Sequence, residues 1–328
     1  MLRKLEGAGV PSLVSPTALE NYTAANISKL NGVAAGLEDT AYYSGPGYFE
    51  RFQEALPKSL ARGPRVIKCQ NSKWEGTWRI SVSSGGGSVS KSSEVKCVSA
   101  KDHTVMFCTL SRFLGRYEDI CEGCPGILDM QYLPKVSEGE YSVVMANRTP
   151  VEVYLSTPAE GENFYSTKVS AGGITARVPF LEAVDVLDWL KFEIEDINEQ
   201  LGGGEHLPML WMVSIVPRDE GYAVTSLSCD CVGFNEHSAS RTIAREAVNI
   251  VMSNQHTHKR TIGLVTQQDT KDEDTEALLE NLSCLGWNCE TVPYVAAKKN
   301  AIISHLQETC DGCILSLIHI SEPTRLRH

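Results

Sequence analysis

Gly126-Ile127-Leu128-Asp129-Met130-Gln131-Tyr132 and Val151-Glu152-Val153-Tyr154-Leu155-Ser156-Thr157-Pro158 are the stretches on which the fold turns. The first is a glycine entering a strand that ends on an aromatic. The second alternates apolar and polar residues and stops on Thr-Pro, a strand running into a loop. A helical stretch over 178–201 follows, with Leu181, Val184, Leu187, Ile194 and Ile197 on its buried side and Gly202-Gly203-Gly204 to stop it. A strand end that offers a Thr hydroxyl and a Pro ring beside an aromatic suits a planar ligand, held by stacking and one hydrogen bond. A plain strand-loop-helix carries the same pattern.

The bulk numbers narrow the classes. The chain has 328 residues, enough for two domains with their own cores. Hydrophobic residues make up 42% and charged residues 22%, an ordinary globular composition. A formal net charge of −11 argues against a nucleic-acid polymer as partner, since that footprint is basic. No run approaches the ~18 apolar residues of a membrane span and no signal peptide opens the chain, so a cytoplasmic protein is expected. Eleven cysteines without framework spacing fit reduced thiols. Cys121/Cys124 and Cys310/Cys313 have zinc-like spacing, but a zinc ribbon needs both pairs together and these fall in different predicted domains.

Residues 1–20 read as a linker. Ile27, Leu30, Val33, Ala34 and Leu37 recur at helical spacing and predict a helix over 24–37. Gly45-Pro46-Gly47 interrupts the phase, and Phe49, Phe52, Leu56 and Leu60 resume it over 49–60. Strands are expected at 77–82, 105–110, 141–144 and 210–216, a mobile Gly/Ser loop at 83–93 and a helix at 238–252. After a polar hinge at 254–260, strands at 261–265, 287–292 and from 312 alternate with helices at 272–285 and 296–307. That order implies a parallel sheet with right-handed crossovers. Leu315-Ser316-Leu317-Ile318-His319-Ile320-Ser321-Glu322-Pro323-Thr324-Arg325 matches a translated sequencing-library adapter, so 315–328 is expected to be a scar and the 261–314 domain to be truncated.

Asn31-Gly32-Val33-Ala34-Ala35-Gly36-Leu37, the paired Tyr42 and Tyr43, Gly47-Tyr48, Leu56-Pro57, Gly126-Ile127 with Asp129 and Tyr132, and Ser156-Thr157-Pro158 occur in an order that resembles the ligand-binding domain of the STING family. The resemblance implies an α+β STING-like domain over 21–253, a central curved sheet with long helices, followed by a partial parallel α/β domain over 261–314. It implies a cyclic-dinucleotide receptor in innate immunity, a homodimer with the ligand in the shared crevice, no catalysis in the main domain and no cofactor. Tyr48 would stack on a base, which any base accepts. Tyr42 and Gly47 would lie close to it, Met130 and Tyr132 would sit in a lid strand, and Thr157 and Pro158 would line the floor. The family's lid arginines correspond here to Cys124 and Met130, leaving Lys135 or Arg148 to meet the phosphates. Membrane helices, and a place on the cytosolic face of the endoplasmic reticulum, would belong to a longer form. The 261–314 segment resembles both a caspase-like fold and a TIR domain; the alternative reading is therefore an effector enzyme, protease or NADase, regulated by an oligomerising N-terminal region.

Overall fold

The computed structural model of the chain describes residues 20–70, 76–83, 88–161, 165–202, 207–229, 237–253, 260–267 and 273–315. The expected linker up to residue 19, the hinge over 254–259, part of the Gly/Ser loop (84–87) and the adapter-like tail from 316 lie outside these residues.

In chain order the first half supplies β1 (Ala41–Ser44), α1 (Tyr48–Leu60), β2 (Arg65–Cys69), β3 (Thr77–Val82), β4 (Glu94–Ser99), β5 (Val105–Thr109), α2 (Leu110–Cys121) and β6 (Gly126–Gln131). The strands form one six-stranded antiparallel sheet in the order β1-β6-β2-β3-β4-β5. Helix α1 forms because Phe49, Phe52, Leu56 and Leu60 fall on one stripe. Helix α2 does so through Leu110, Phe113, Leu114, Tyr117 and Cys121, and its first turn is capped by Thr109, whose side chain accepts from the Arg112 N–H at 3.3 Å. Both helices bury these stripes with Ile67, Ile80, Val95 and Ile127 on one face of the sheet. Strand alternation then sends Val66 and Lys68, and Leu128 and Met130, to the other face.

The second half supplies β7 (Glu140–Ala146), β8 (Thr149–Thr157), β9 (Ile174–Arg177), α3 (Val184–Leu201), β10 (Leu210–Pro217), β11 (Tyr222–Ser228) and α4 (His237–Ser253). Its sheet is antiparallel in the order β11-β10-β7-β8-β9. Val143, Met145, Trp211, Val213 and Ile215 share a core with Leu190, Ile194 and Ile197 of α3. Val144 on the opposite face packs with Ala239, Ile243 and Ala247 of α4. The remaining elements, β12 (Thr261–Gln267), α5 (Glu273–Cys284), β13 (Asn288–Tyr294), α6 (Lys299–Thr309) and β14 (Gly312–Leu315), form a three-stranded parallel sheet in the order β13-β12-β14.

This corrects the expected fold class. Two antiparallel sheets, the first with helices on one face and the second packed against α3 on one face and α4 on the other, replace a single curved sheet with long helices. The expected helix over 24–37 is a 3-10 helix of nine residues, Ala24–Gly32. It ends because the chain folds back on itself: Val33 N–H donates to the Leu30 carbonyl, Gly36 N–H to the Val33 carbonyl, and a Cβ on Gly36 would collide with the Leu30 carbonyl oxygen at 1.8 Å. The presumed lid strand is an interior strand, β6 lying between β1 and β2 with five of its six residues buried. The expected 178–201 helix starts at Val184, because Val178 N–H still bonds Val153 O in extension of the sheet and Pro179 opens a separate turn.

Candidate functional site: a cleft between the two sheets

The face of the first sheet that is free of helices meets the second sheet across a cleft. Val66 and Lys68 of β2, Thr77 of β3, Ala100, and Met130 and Gln131 of β6 form one wall. Glu140 of β7, Val216 of β10 and Thr225 of β11 form the other. The connection from β6 to β7 closes one side through Tyr132, Leu133 and Val136, and the segment Tyr165–Lys168 closes another. The wall therefore joins an apolar slot (Val66, Ala100, Met130, Leu133) to a charged end (Lys68, Glu140, Lys168).

Each charged group has a definite electrostatic cause. Lys68 sits in the cleft because Ile67 and Cys69 occupy the helix-covered face. Burial lowers the ammonium below its ordinary value, Glu140 pulls it part of the way back, and Lys168 lowers it further. Burial pulls Glu140 upward, but the charges of Lys68 and Lys168 and two hydroxyl bonds outweigh it and hold the carboxyl below its ordinary value. Those bonds run from Thr225 Oγ1 to Oε1 and from Thr167 Oγ1 to Oε2, both at 2.7 Å. Gly139, at φ 122°, delivers Glu140 to this point, and a Cβ there would meet the Leu155 side chain at 2.5 Å.

The aromatic side of the cleft is fixed by Arg79. Its guanidinium lies 4.9 Å from the Tyr132 ring centroid and 5.1 Å from that of Tyr165, and it donates to the Tyr132 hydroxyl at 3.1 Å. Tyr165 is buried and donates to the Val98 carbonyl at 3.1 Å. Tyr132 N–H bonds Pro64 O at 3.0 Å, continuing the pairing of β6 with β2 into the linker. Beneath, Arg65 Nε meets Asp129 Oδ1 at 2.7 Å and the Ser59 hydroxyl meets Oδ2 at 2.8 Å, a sealed pair that ties β2 to β6 and α1.

Of the residues expected to hold a ligand, Met130 and Tyr132 line this cleft and the others do not. Tyr42 bonds the Gln70 side chain. Tyr48 donates to the Cys121 carbonyl at 2.9 Å, against the aromatic core under α1 and α2, and burial pushes its hydroxyl up to about 12. Gly47 precedes α1 at φ 67°. Thr157 ends β8, where it pairs with Ile174 of β9, and Pro158 follows it. The cations expected near phosphates are engaged elsewhere: Lys135 bonds Arg218 O at 3.2 Å, and Arg148 holds Glu195 through two bonds of 2.7 and 3.1 Å. Lys68, Glu140, Thr167, Lys168 and Thr225 were missed. The legible trace of the first was a lysine at an inward position of Arg65-Val66-Ile67-Lys68-Cys69.

No family model and no curated protein matches the chain. Among solved structures it is similar to D-alanine–D-alanine ligase from Bacillus anthracis, with 13% identity over 70% of this chain and 63% of that one, at a TM-score of 0.41. D-cycloserine synthetase DcsG is 11% identical over 70% of each chain, at 0.42. The ATP-grasp ligase PsnB is 14% identical over 70% of this chain and 59% of its own, at 0.38. The chain thus spans about three fifths of the D-alanine–D-alanine ligase and PsnB chains. At TM-scores below 0.5 these likenesses show neither family nor activity.

The architecture of two antiparallel sheets overturns the STING-like domain, and the receptor reading and its innate-immunity role that rested on it. The caspase-like and TIR-like alternative falls as well. The expectations of a main domain without catalysis and without a cofactor are at odds with the names of these similar structures, ligases and synthetases, one of them complexed with ATP. Among the described residues no helix is long and apolar enough to cross a membrane.

Proposed function

We propose that the cleft binds a purine nucleoside triphosphate, ATP in the first place, and that the chain carries the nucleotide-binding body of an ATP-dependent ligase. The observation that supports this best is the juxtaposition of Lys68 with an apolar slot in one cavity. A lysine whose ammonium is disfavoured by burial gains most from an anion brought to it. A flat heterocycle suits the slot between Val66, Ala100 and Met130 on one wall and Leu133 at the linker, where a main-chain edge is at hand for hydrogen bonds. Phosphates then extend toward Lys68 and Lys168, which meet them with charge-assisted bonds.

Calorimetric titration of the full chain with ATP, GTP, CTP and ADP tests the reading. Binding of the purine triphosphate, weaker binding of the diphosphate and none of CTP is the expected order. Heat from none of the four sinks the proposal. The names of the similar structures suggest a carboxylate substrate and an amide product, and the cleft has a polar floor beside Glu140 on which such an acceptor could approach the terminal phosphate. An assay of phosphate release against a panel of amino acids and short peptides tests that part.

A further inference from the structure

A second cavity, of about 530 Å³, opens where the chain leaves β9 for α3, and no residue that lines it lines the cleft between the sheets. The start of β8 forms one side at Pro150 and Val151, Thr242 of α4 forms another, and the stretch from Arg177 to Leu181 forms the third. These walls are set before any ligand arrives. Val178 N–H donates to the Val153 carbonyl at 2.8 Å, which keeps the stretch paired with β8. Pro179 then opens a turn closed by the Glu182 and Ala183 N–H groups, which donate to its carbonyl at 2.9 and 3.2 Å. The rings of Pro150 and Pro179 fix φ and bring no N–H to the wall. Little chain entropy is lost when such a wall takes a ligand.

The lining is chemically uneven. Phe180 is 46% exposed and Leu181 91%, so water covers apolar surface that an alkyl chain would shield. The polar side chains are the Arg177 guanidinium and the Thr242 hydroxyl, and among the described lining residues there is no acid. An apolar concavity with one cation and one hydroxyl suits a molecule with an alkyl body and a single anionic end. A carboxylate meets a guanidinium through two parallel bonds, and five N–H donors let Arg177 take a ligand while keeping a contact within the chain. A second copy of the chain is a poorer occupant. Across a two-fold axis it would bring a second Arg177 into the same interface, with no acid in the lining to meet it.

We propose that this cavity is a binding site for a medium-chain fatty carboxylate, with the alkyl chain against Val151, Phe180 and Leu181 and the carboxylate at Arg177 and Thr242. The site shares no residue with the cleft, so it stands independently of the nucleotide reading.

The experiment titrates the full chain calorimetrically with decanoate and with decanol, both below the concentrations at which they aggregate. Decanoate is expected to bind. Arg177→Gln, at an exposed position, should weaken decanoate by about tenfold, the scale of one charge-assisted bond, and shift decanol by less than about twofold. Phe180→Ser, also exposed, should weaken both ligands. No heat from decanoate, or an equal loss for decanoate and decanol in Arg177→Gln, overturns the proposal. Decanoate binding that is lost in Lys68→Met and kept in Arg177→Gln overturns it as well, because the carboxylate then lies in the cleft. So does sedimentation of the ligand-free chain as a dimer that Leu181→Asp converts to monomer, since a second copy then covers the cavity.

Discussion

Replacing Glu140 by Gln tests the electrostatic centre of the cleft most directly. The carboxylate receives the Thr225 and Thr167 hydroxyls at 2.7 Å each, with Lys68 and Lys168 adding charge. A hydrogen bond to a charged group is worth about 1.5–3 kcal/mol and one between neutral groups about 0.5–1.5. Losing the charge while keeping the shape therefore removes about 1 kcal/mol per bond, or about 2 kcal/mol in all. At ~2–4 °C per kcal/mol for a chain of this order of size, the melting temperature falls by about 4–8 °C. The pH dependence fixes the cause. Glu140 is held below its ordinary value in the folded state, so its contribution is fully present above the ordinary carboxylate value and is lost as pH falls through the folded one. Urea unfolding at several pH values should show the full gap between the native chain and the Glu140→Gln variant at pH 7, closing as the medium is acidified. A gap that persists undiminished at pH 3, or none at pH 7, would refute this account of the cleft.

Three further outcomes follow from neighbouring contacts. Lys68→Met should weaken ATP binding by about 10- to 150-fold, the value of one charge-assisted bond of ~1.5–3 kcal/mol, and should also lower the stability of the empty protein, because Glu140 then loses the first of the charges that hold its carboxyl low. Calorimetry and urea unfolding of the same sample read the two halves. Arg65→Met leaves the Asp129 carboxylate, 1% exposed, without its cation and should cost about 3–5 kcal/mol by chemical denaturation; a cost below ~1 kcal/mol would show that the pair does not tie β2 to β6. Gly139→Ala forces a side chain to φ 122° against Leu155 and should cost about 1–3 kcal/mol while displacing Glu140, read as a weaker pH dependence of stability.

Much of the secondary structure was legible because packing demands a period. The stripe Phe49, Phe52, Leu56, Leu60 identified α1, and alternation placed β3 at 77–82, the bounds the structure shows. The alternation of apolar residues with helical stretches after residue 260 gave a parallel sheet, and the sheet is parallel. Strands β2 and β4 escaped notice for a physical reason. Arg65-Val66-Ile67-Lys68-Cys69 is flanked by charged positions, and its lysine reads as a solvent-facing residue when it faces a cleft. The apolar period over 24–37 misled because periodicity does not register a chain reversal. The backbone bonds from Val33 to Leu30 and from Gly36 to Val33, and the collision that a side chain at Gly36 would make with the Leu30 carbonyl, show the turn.

The site itself could not be read locally, and the reason lies in how it is made. None of its decisive residues forms a motif with another: Lys68 comes from β2, Glu140 from the start of β7, Thr167 and Lys168 from the segment between β8 and β9, and Thr225 from β11. They meet because helices seal one face of the first sheet, so alternation turns Val66 and Lys68 of β2 to the cleft, where Glu140 at the start of β7 faces them. A sequence comparison built on aromatic and Thr-Pro positions samples the wrong property. Tyr48 and Tyr42 are chemically apt for stacking, yet the first faces the core under α1 and α2 and the second is held by Gln70. Burial of a charge carries the more reliable information. A lysine kept inside against its desolvation, only partly offset by a carboxylate whose oxygens are already engaged, is a group to which an anion brought into the cleft between the sheets binds favourably.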